Sequence, residues 1–264
     1  MVLSPPSLQG GGRGVGSSPW DTKHIIRLIV TSATYRQSAK VTPELLERDP
    51  DNRLLARGPC YRLPSWMIRD QALAASGLLT PTYGGAPVKT YQPPGIWEEA
   101  TFGYKRYVQD KGEALYRRSL HVFWRRIIGP TVFFDVANRQ TCSVKTMTTN
   151  TPLHALVTLN DTTYVEAARA LAQLALEKGG ATDAERLTFA FRRVTSRKPT
   201  EAEQKLLGAA LEKQRKLFTA DRAPALKLLK VGDSPRNEKL DATEHAALTA
   251  VCLMMLNLDE TLNK

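Results

Sequence analysis

Residues 151–180 read TPLHALVTLNDTTYVEAARALAQLALEKGG, and this run decides the fold. Thr151-Pro152 sets a capping residue before a proline at the first helical position. The fixed φ of proline suits that position, and the N–H it lacks would have had no intrahelical partner. Asn160-Asp161 is turn and cap chemistry, so a second helix restarts at Asp161 or Thr162. Its apolar residues recur at helical spacing through VEAARALAQLALEK until Gly179-Gly180 ends it.

The same grammar continues downstream. Thr182-x-x-Glu185 and Thr200-x-x-Glu203 are capping boxes, in which each end of the motif satisfies an orphan backbone N–H of the other. The second opens a helix to about Phe218. Asp241 to Glu244 caps the last helix, which buries Leu248, Val251, Cys252 and Met255. Upstream, Asp21 caps a helix over 22–32 with Ile25, Ile26, Leu28 and Ile29 as its apolar stripe. Pro64 opens another, with Trp66, Met67, Leu73 and Leu78 at helical spacing to about Leu79. The stretches TSATYRQSAK and DPDN between them are loop or turn.

Residues 80–112 break the pattern. They are rich in Pro, Gly and aromatic residues, which predicts an ordered, irregular excursion. Residues 114–128, ALYRRSLHVFWRRII, fit a helix better than a strand, with Tyr116, Leu120, Phe123, Trp124 and Ile127 on one face. Residues 141–151 carry many β-branched side chains and predict an extended connector. The sequence therefore predicts a mainly α fold: a helical domain with an irregular or small β-containing insert around 80–145. The domain is expected over 20–264, with a helical part at 20–79, an irregular part at 80–150 and a helical part at 151–264. Residues 1–19 are dominated by Gly, Ser and Pro and contain no apolar signal region. They are expected to be a disordered leader, and the chain behind them a domain entered partway.

The chain has 264 residues, 37 Lys+Arg and 26 Asp+Glu, for a formal net charge of +11. Residues 1–150 hold 20 basic and 11 acidic side chains, so most of the excess lies there. A basic surface suits an acidic protein, an anionic ligand or glycan, or nucleic acid, and equally suits a solvated face with no dedicated partner. No recognised nucleic-acid motif accompanies the charge. No apolar run reaches the ~18 residues of a membrane span. Cys60, Cys142 and Cys252 are odd in number and widely spaced, which excludes a disulfide framework or a zinc site. No C-x-x-C-H, H-E-x-x-H or H-x-x-E-H motif occurs.

The most chemically loaded segment is TCSVKTMTTNTPLHALVTLND, residues 141–161. Cys142 has Arg139 and Lys145 near it in sequence and His154 further on. Those are the ingredients of a reactive thiol, and also of an ordinary apolar cysteine. Asn150 and Thr151 lead to a helix N-terminus, where orphan N–H groups can take an anion or a local cap. Asn160 and Asp161 form a turn and cap. Arg117, Arg118 and Trp124 belong to YRRSLHVFWRR, whose interleaved arginines and aromatics suit stacking or docking. The candidate cluster is Arg117, Arg118, Trp124, Arg139, Cys142, Lys145, Asn150, Thr151, His154, Asn160 and Asp161. No catalytic residue and no metal ligand is assigned.

KHIIRLIVTSATYRQS (23–38), DPDNRLLAR (49–57), RLPSWMIRDQALAASGLL (62–79), GGAPVKTYQPPGIWEE (84–99), YVQDKGEALYRRSLHVFWRR (107–126), CSVKTMTTNTPLHALVTLND (142–161) and DATEHAALTAVCLMMLNLDETL (241–262) carry a family resemblance. Over residues 20–264 the chain resembles the C-terminal planctomycete-specific domain of unknown function. That domain occurs in large multidomain proteins that often carry a cytochrome-c-like domain. The resemblance implies a fragment of an exported protein, acting at the periplasm or cell surface, with companion domains as partners. It places haem on the cytochrome-c-like domain and no cofactor in this chain. A partner-docking or ligand-binding module follows as the leading expectation, with the 139–161 segment helping to form the site. An enzyme acting on a polysaccharide or other polymer is the alternative, using the aromatic 80–128 region as a cleft and Glu98, Glu99 or Asp110 as carboxylates. A basic nucleic-acid-binding protein is the third.

Overall fold

The structure is a computed structural model that describes residues 21–125, 128–137, 142–144 and 146–263. The chain divides into two compact units, residues 1–60 and 61–264. The 1–19 leader lies outside the described residues.

In the first unit, α1 (Thr22–Thr31) starts where Asp21 accepts the His24 N–H, and α2 (Pro43–Arg48) starts under Thr42, which accepts from Leu45. Helix α2 falls in a stretch with no sequence expectation. Helix α1 forms as expected but buries none of its residues: Ile25, Ile26, Leu28 and Ile29 are all more than half exposed. Arg57 ties the end of this unit together by donating to the carbonyls of Leu45, Asp49 and Pro50.

The second unit contains α3 (Ser65–Ser76), α4 (Ile96–Ala100), α5 (Pro152–Asn160), α6 (Thr162–Lys178), α7 (Asp183–Thr195), α8 (Glu201–Ala220), α9 (Arg222–Leu229), α10 (Ala242–Leu256) and α11 (Asp259–Leu262). Helices α6 and α10 form the centre. Both present small side chains to the core, Ala168, Ala172 and Ala175 from one and Ala246 and Ala247 from the other, all at 0% exposure. Small residues let two helix backbones approach closely, and Leu171, Leu248, Val251, Cys252 and Met255 fill the flanks. Around this pair pack α3, α5, α7, α8 and α9. Both capping boxes form as read, at Thr182/Glu185 and Thr200/Glu203. Asp241 accepts the Glu244 N–H at the start of α10. The fold is mainly α, and among the described residues strand pairing is limited to three isolated bridges.

One expected helix is absent. Residues 114–125 form no α-helix: Gly112–Tyr116 and Ser119–His121 are 3-10 turns, and Arg117 and Arg118 between them are extended. The cause is tertiary. The buried guanidinium of Arg69 donates to the carbonyls of Leu115, at 2.8 Å, and Arg117, at 2.9 Å, which a helix would have used internally. The Val88 N–H donates to the His121 carbonyl and the Phe123 N–H to the Val88 carbonyl, which holds this stretch extended against the excursion. The apolar spacing of 114–124 serves packing along an irregular path, with Leu115, Tyr116 and Val122 buried.

Candidate functional site

The segment 149–161 folds around Asp135. The Thr149 N–H donates to one Asp135 oxygen at 2.6 Å, and the Thr149 hydroxyl to the other at 2.9 Å. Asp135 takes a positive φ of 55°, a region disfavoured for a residue with a Cβ, and these bonds hold it there. His154, one turn into α5, brings Nε2 to 3.6 Å from Asp135 Oδ1. Its ring stacks on Phe134 with centroids 4.1 Å apart, and its Nδ1 is buried without a partner. Thr158, one turn further, donates to the His154 carbonyl and bonds the Asn257 side chain.

Thr151 adopts the capping backbone conformation, but its hydroxyl makes no cap bond. The His154 N–H bonds the Thr151 carbonyl instead. Asn150 is exposed. Asn160 donates to the Leu156 carbonyl, and Asp161 caps α6 by accepting the Thr163 N–H. Burial raises the Asp161 carboxyl above its ordinary range, while the Thr163 bonds and the Arg69 charge oppose the shift. Cys142 is exposed and free. Arg139 and Lys145 lie outside the described residues, and so does the anion reading that rests on them.

Arg117, Arg118 and Trp124 serve elsewhere. The guanidinium of Arg117 is buried and donates to the carbonyls of Thr82, Gly84 and Ala86, clamping that loop. Arg118 lies over the Tyr83 ring, 5.3 Å from its centroid. Trp124 packs against Phe133 and the backbone of Gly129. The candidates thus separate into a loop clamp around 82–86 and a polar seam around Asp135 and His154.

A second polar centre gave no signal in the sequence. Glu166 of α6, 1% exposed, accepts from the hydroxyls of Tyr91 and Tyr116, both at 2.9 Å, and from the Ser234 N–H at 2.6 Å. Arg169 lies 3.5 Å from the same carboxylate and donates to the Ser234 carbonyl and hydroxyl. Tyr91 also accepts the Asp233 N–H. Burial, reinforced by the Glu166 charge, raises both phenols, Tyr116 to about 12, so they stay protonated donors. The carboxylate is fully satisfied and anchors three separate chain segments to α6.

Beside this centre a cleft of about 540 Å³ is lined by residues 77–82, Gly112, Glu113, Tyr116 and 233–235. Glu113 and Asp233 put two carboxylates on its wall. Of the carboxylates named from sequence, Asp110 is engaged by the Lys89 N–H, while Glu98 and Glu99 lie in the first turn of α4. Among the described residues no group of three or more His, Cys, Asp or Glu side chains is placed to hold a metal ion. No helix among them is long and apolar enough to cross a membrane.

A family model described as PSD1, protein of unknown function (DUF1553), matches residues 15–211. No curated protein and no solved structure matches the chain. The match spans well over half of the sequence, so the chain belongs to this family.

Proposed function

We propose that this member of the DUF1553 family is a non-catalytic docking module that seats a companion domain of a longer, exported protein, a cytochrome-c-like domain foremost. The observation that supports the reading is the inverted face of α5. This helix turns His154 and Thr158 inward, to Asp135 and Asn257, and leaves Leu153 68% and Leu156 55% exposed. Met147, at 81%, extends the apolar surface into the connector before it. A helix on the surface of a free-standing domain carries its apolar stripe toward the core. An outward stripe supported by a buried polar seam is what a surface awaiting a partner needs.

The test is capture of the separately expressed cytochrome-c-like domain by the full chain. The double substitution Leu153→Glu/Leu156→Glu should weaken capture tenfold or more and leave the thermal midpoint unchanged, because both side chains are solvent-facing. No capture by the wild-type chain, or equal capture by the variant, defeats the reading.

The cleft beside Glu166 favours a second reading, an enzyme acting on a polysaccharide or other polymer. Glu113 and Asp233 would be the acid and base, since glycoside hydrolysis uses two carboxylates flanking the scissile bond. Glu113→Gln and Asp233→Asn should each abolish polymer cleavage. Activity that survives both substitutions removes it.

A further inference from the structure

Helices α7 and α8 are joined by the short turn 196–200, and residues of both line an open groove of about 1170 Å³. Phe189 gives it apolar surface over the buried Leu187, and Gln204 bridges it at one point by donating to the Ala184 carbonyl. The charges around it are unevenly committed. Asp183 is engaged by Arg215, and Glu185 by its capping box. Among the described residues Arg192, Lys198 and Lys205 form no ion pair, and neither do the lining carboxylates Glu185 and Glu201, so the uncommitted charge on the rim is in cationic excess.

Gly208 is the second observation. It stands in the interior of α8, where glycine costs about 1 kcal/mol relative to alanine. A Cβ built there would meet nothing within 4 Å, so no neighbour in the chain requires its absence. The residue lines the groove, and a missing side chain there opens the floor to close approach by another backbone. A 13-residue helix such as α7 is about 20 Å long, enough to cradle three to four turns of a partner helix.

We infer that the α7–α8 groove is a docking site for an acidic amphipathic helix of a partner protein. Apolar residues at i, i+4 and i+7 would enter over Gly208, and carboxylates on the flanks would meet Arg192, Lys198 and Lys205. This site is independent of the α5 face, and either can stand without the other.

The probe is a fluorescein-labelled 18-residue helical peptide with leucine at i, i+4, i+7 and i+11 and glutamate on its flanks, titrated into the full chain. Binding in the micromolar range is expected, weakening as salt screens the rim. Gly208→Leu adds a side chain where a Cβ meets no neighbour within 4 Å, and should weaken binding at least tenfold while the thermal midpoint holds or rises. Arg192→Glu/Lys205→Glu should do the same through the rim, and lysine in place of each glutamate in the peptide should lose binding. Leu153→Glu/Leu156→Glu should leave peptide affinity unchanged, which separates this groove from the α5 surface. No wild-type binding up to 1 mM, binding indifferent to both groove variants, or equal affinity for the lysine peptide overturns the inference.

Discussion

Gly232 sits at a φ of 85° in the turn that delivers Asp233 and Ser234 to α6, and a Cβ there would overlap the Glu166 carboxyl group. A side chain would therefore meet backbone strain and displace a carboxylate that two tyrosines, a backbone N–H and an arginine hold in place. Gly232→Ala should lower unfolding free energy by roughly 2–4 kcal/mol, summing strain and overpacking. Urea titration measures it, and a change under about 0.5 kcal/mol, the size of an ordinary surface substitution, would show that the turn can move away. His245 offers a different single-residue test. Burial holds its ring below the ordinary 6.5, Arg169 and Arg236 push the same way, and its bond to the Arg169 carbonyl and the Glu177 charge oppose. As pH falls past 6.5 the unfolded chain takes up a proton that the folded chain refuses, so stability falls from there downward. The urea midpoint should drop between pH 7 and 5, and His245→Gln, which keeps a donor for the carbonyl, should flatten that slope. Carboxylates held below their ordinary range, such as Asp183 beside Arg215 and Glu203 beside Arg197 at about 2, act in a lower window. Equal slopes in the two proteins would assign the effect elsewhere.

At the scale of elements, the helices announced by caps are the ones that form as read. A capping box is complete within four residues, so Thr182/Glu185 and Thr200/Glu203 are visible without any tertiary knowledge. The segment 114–128 is the converse. Its apolar period is real, but a buried arginine 46 and 48 residues upstream claims the carbonyls that a helix needs, and no local pattern reports that. The candidate seam was half legible for the same reason. His154 stands out by its chemistry, whereas Asp135 reaches it from an irregular stretch, and Glu166 meets Tyr91 and Tyr116 across 75 and 50 residues. Caps also differ in strength where the sequence treats them alike. Thr200 accepts the Glu203 N–H, while Thr151 makes no side-chain cap bond. Thr200→Ala should cost about 1 kcal/mol and Thr151→Ala only a few tenths. Equal losses by chemical denaturation would mean that Thr151 caps α5 in solution.

For the whole molecule, two opposing quantities decide how free copies behave. The chain carries +11, and it exposes two apolar helix faces: Ile25, Ile26, Leu28 and Ile29 on α1, and Leu153 and Leu156 on α5. Full burial of one such side chain is worth about 1.5–3 kcal/mol, so a few of them pairing between copies would drive association. Like charge opposes that pairing, but only within reach of its field. The screening length is about 10 Å at 0.1 M salt and shrinks to about 3 Å at 1 M, while apolar attraction does not weaken. The wild-type chain should therefore sediment as a monomer at 0.05 M sodium chloride and associate reversibly at 0.5–1 M. Ile26→Glu/Ile29→Glu and Leu153→Glu/Leu156→Glu should each reduce the association, and the variant with the larger effect marks the face that copies prefer. Sedimentation unchanged by salt would show that neither face attracts a second copy, and would confine the α5 surface to a partner of complementary shape. Association that weakens as salt rises would reverse the argument, because the contact would then be made by charges rather than by the exposed leucines and isoleucines.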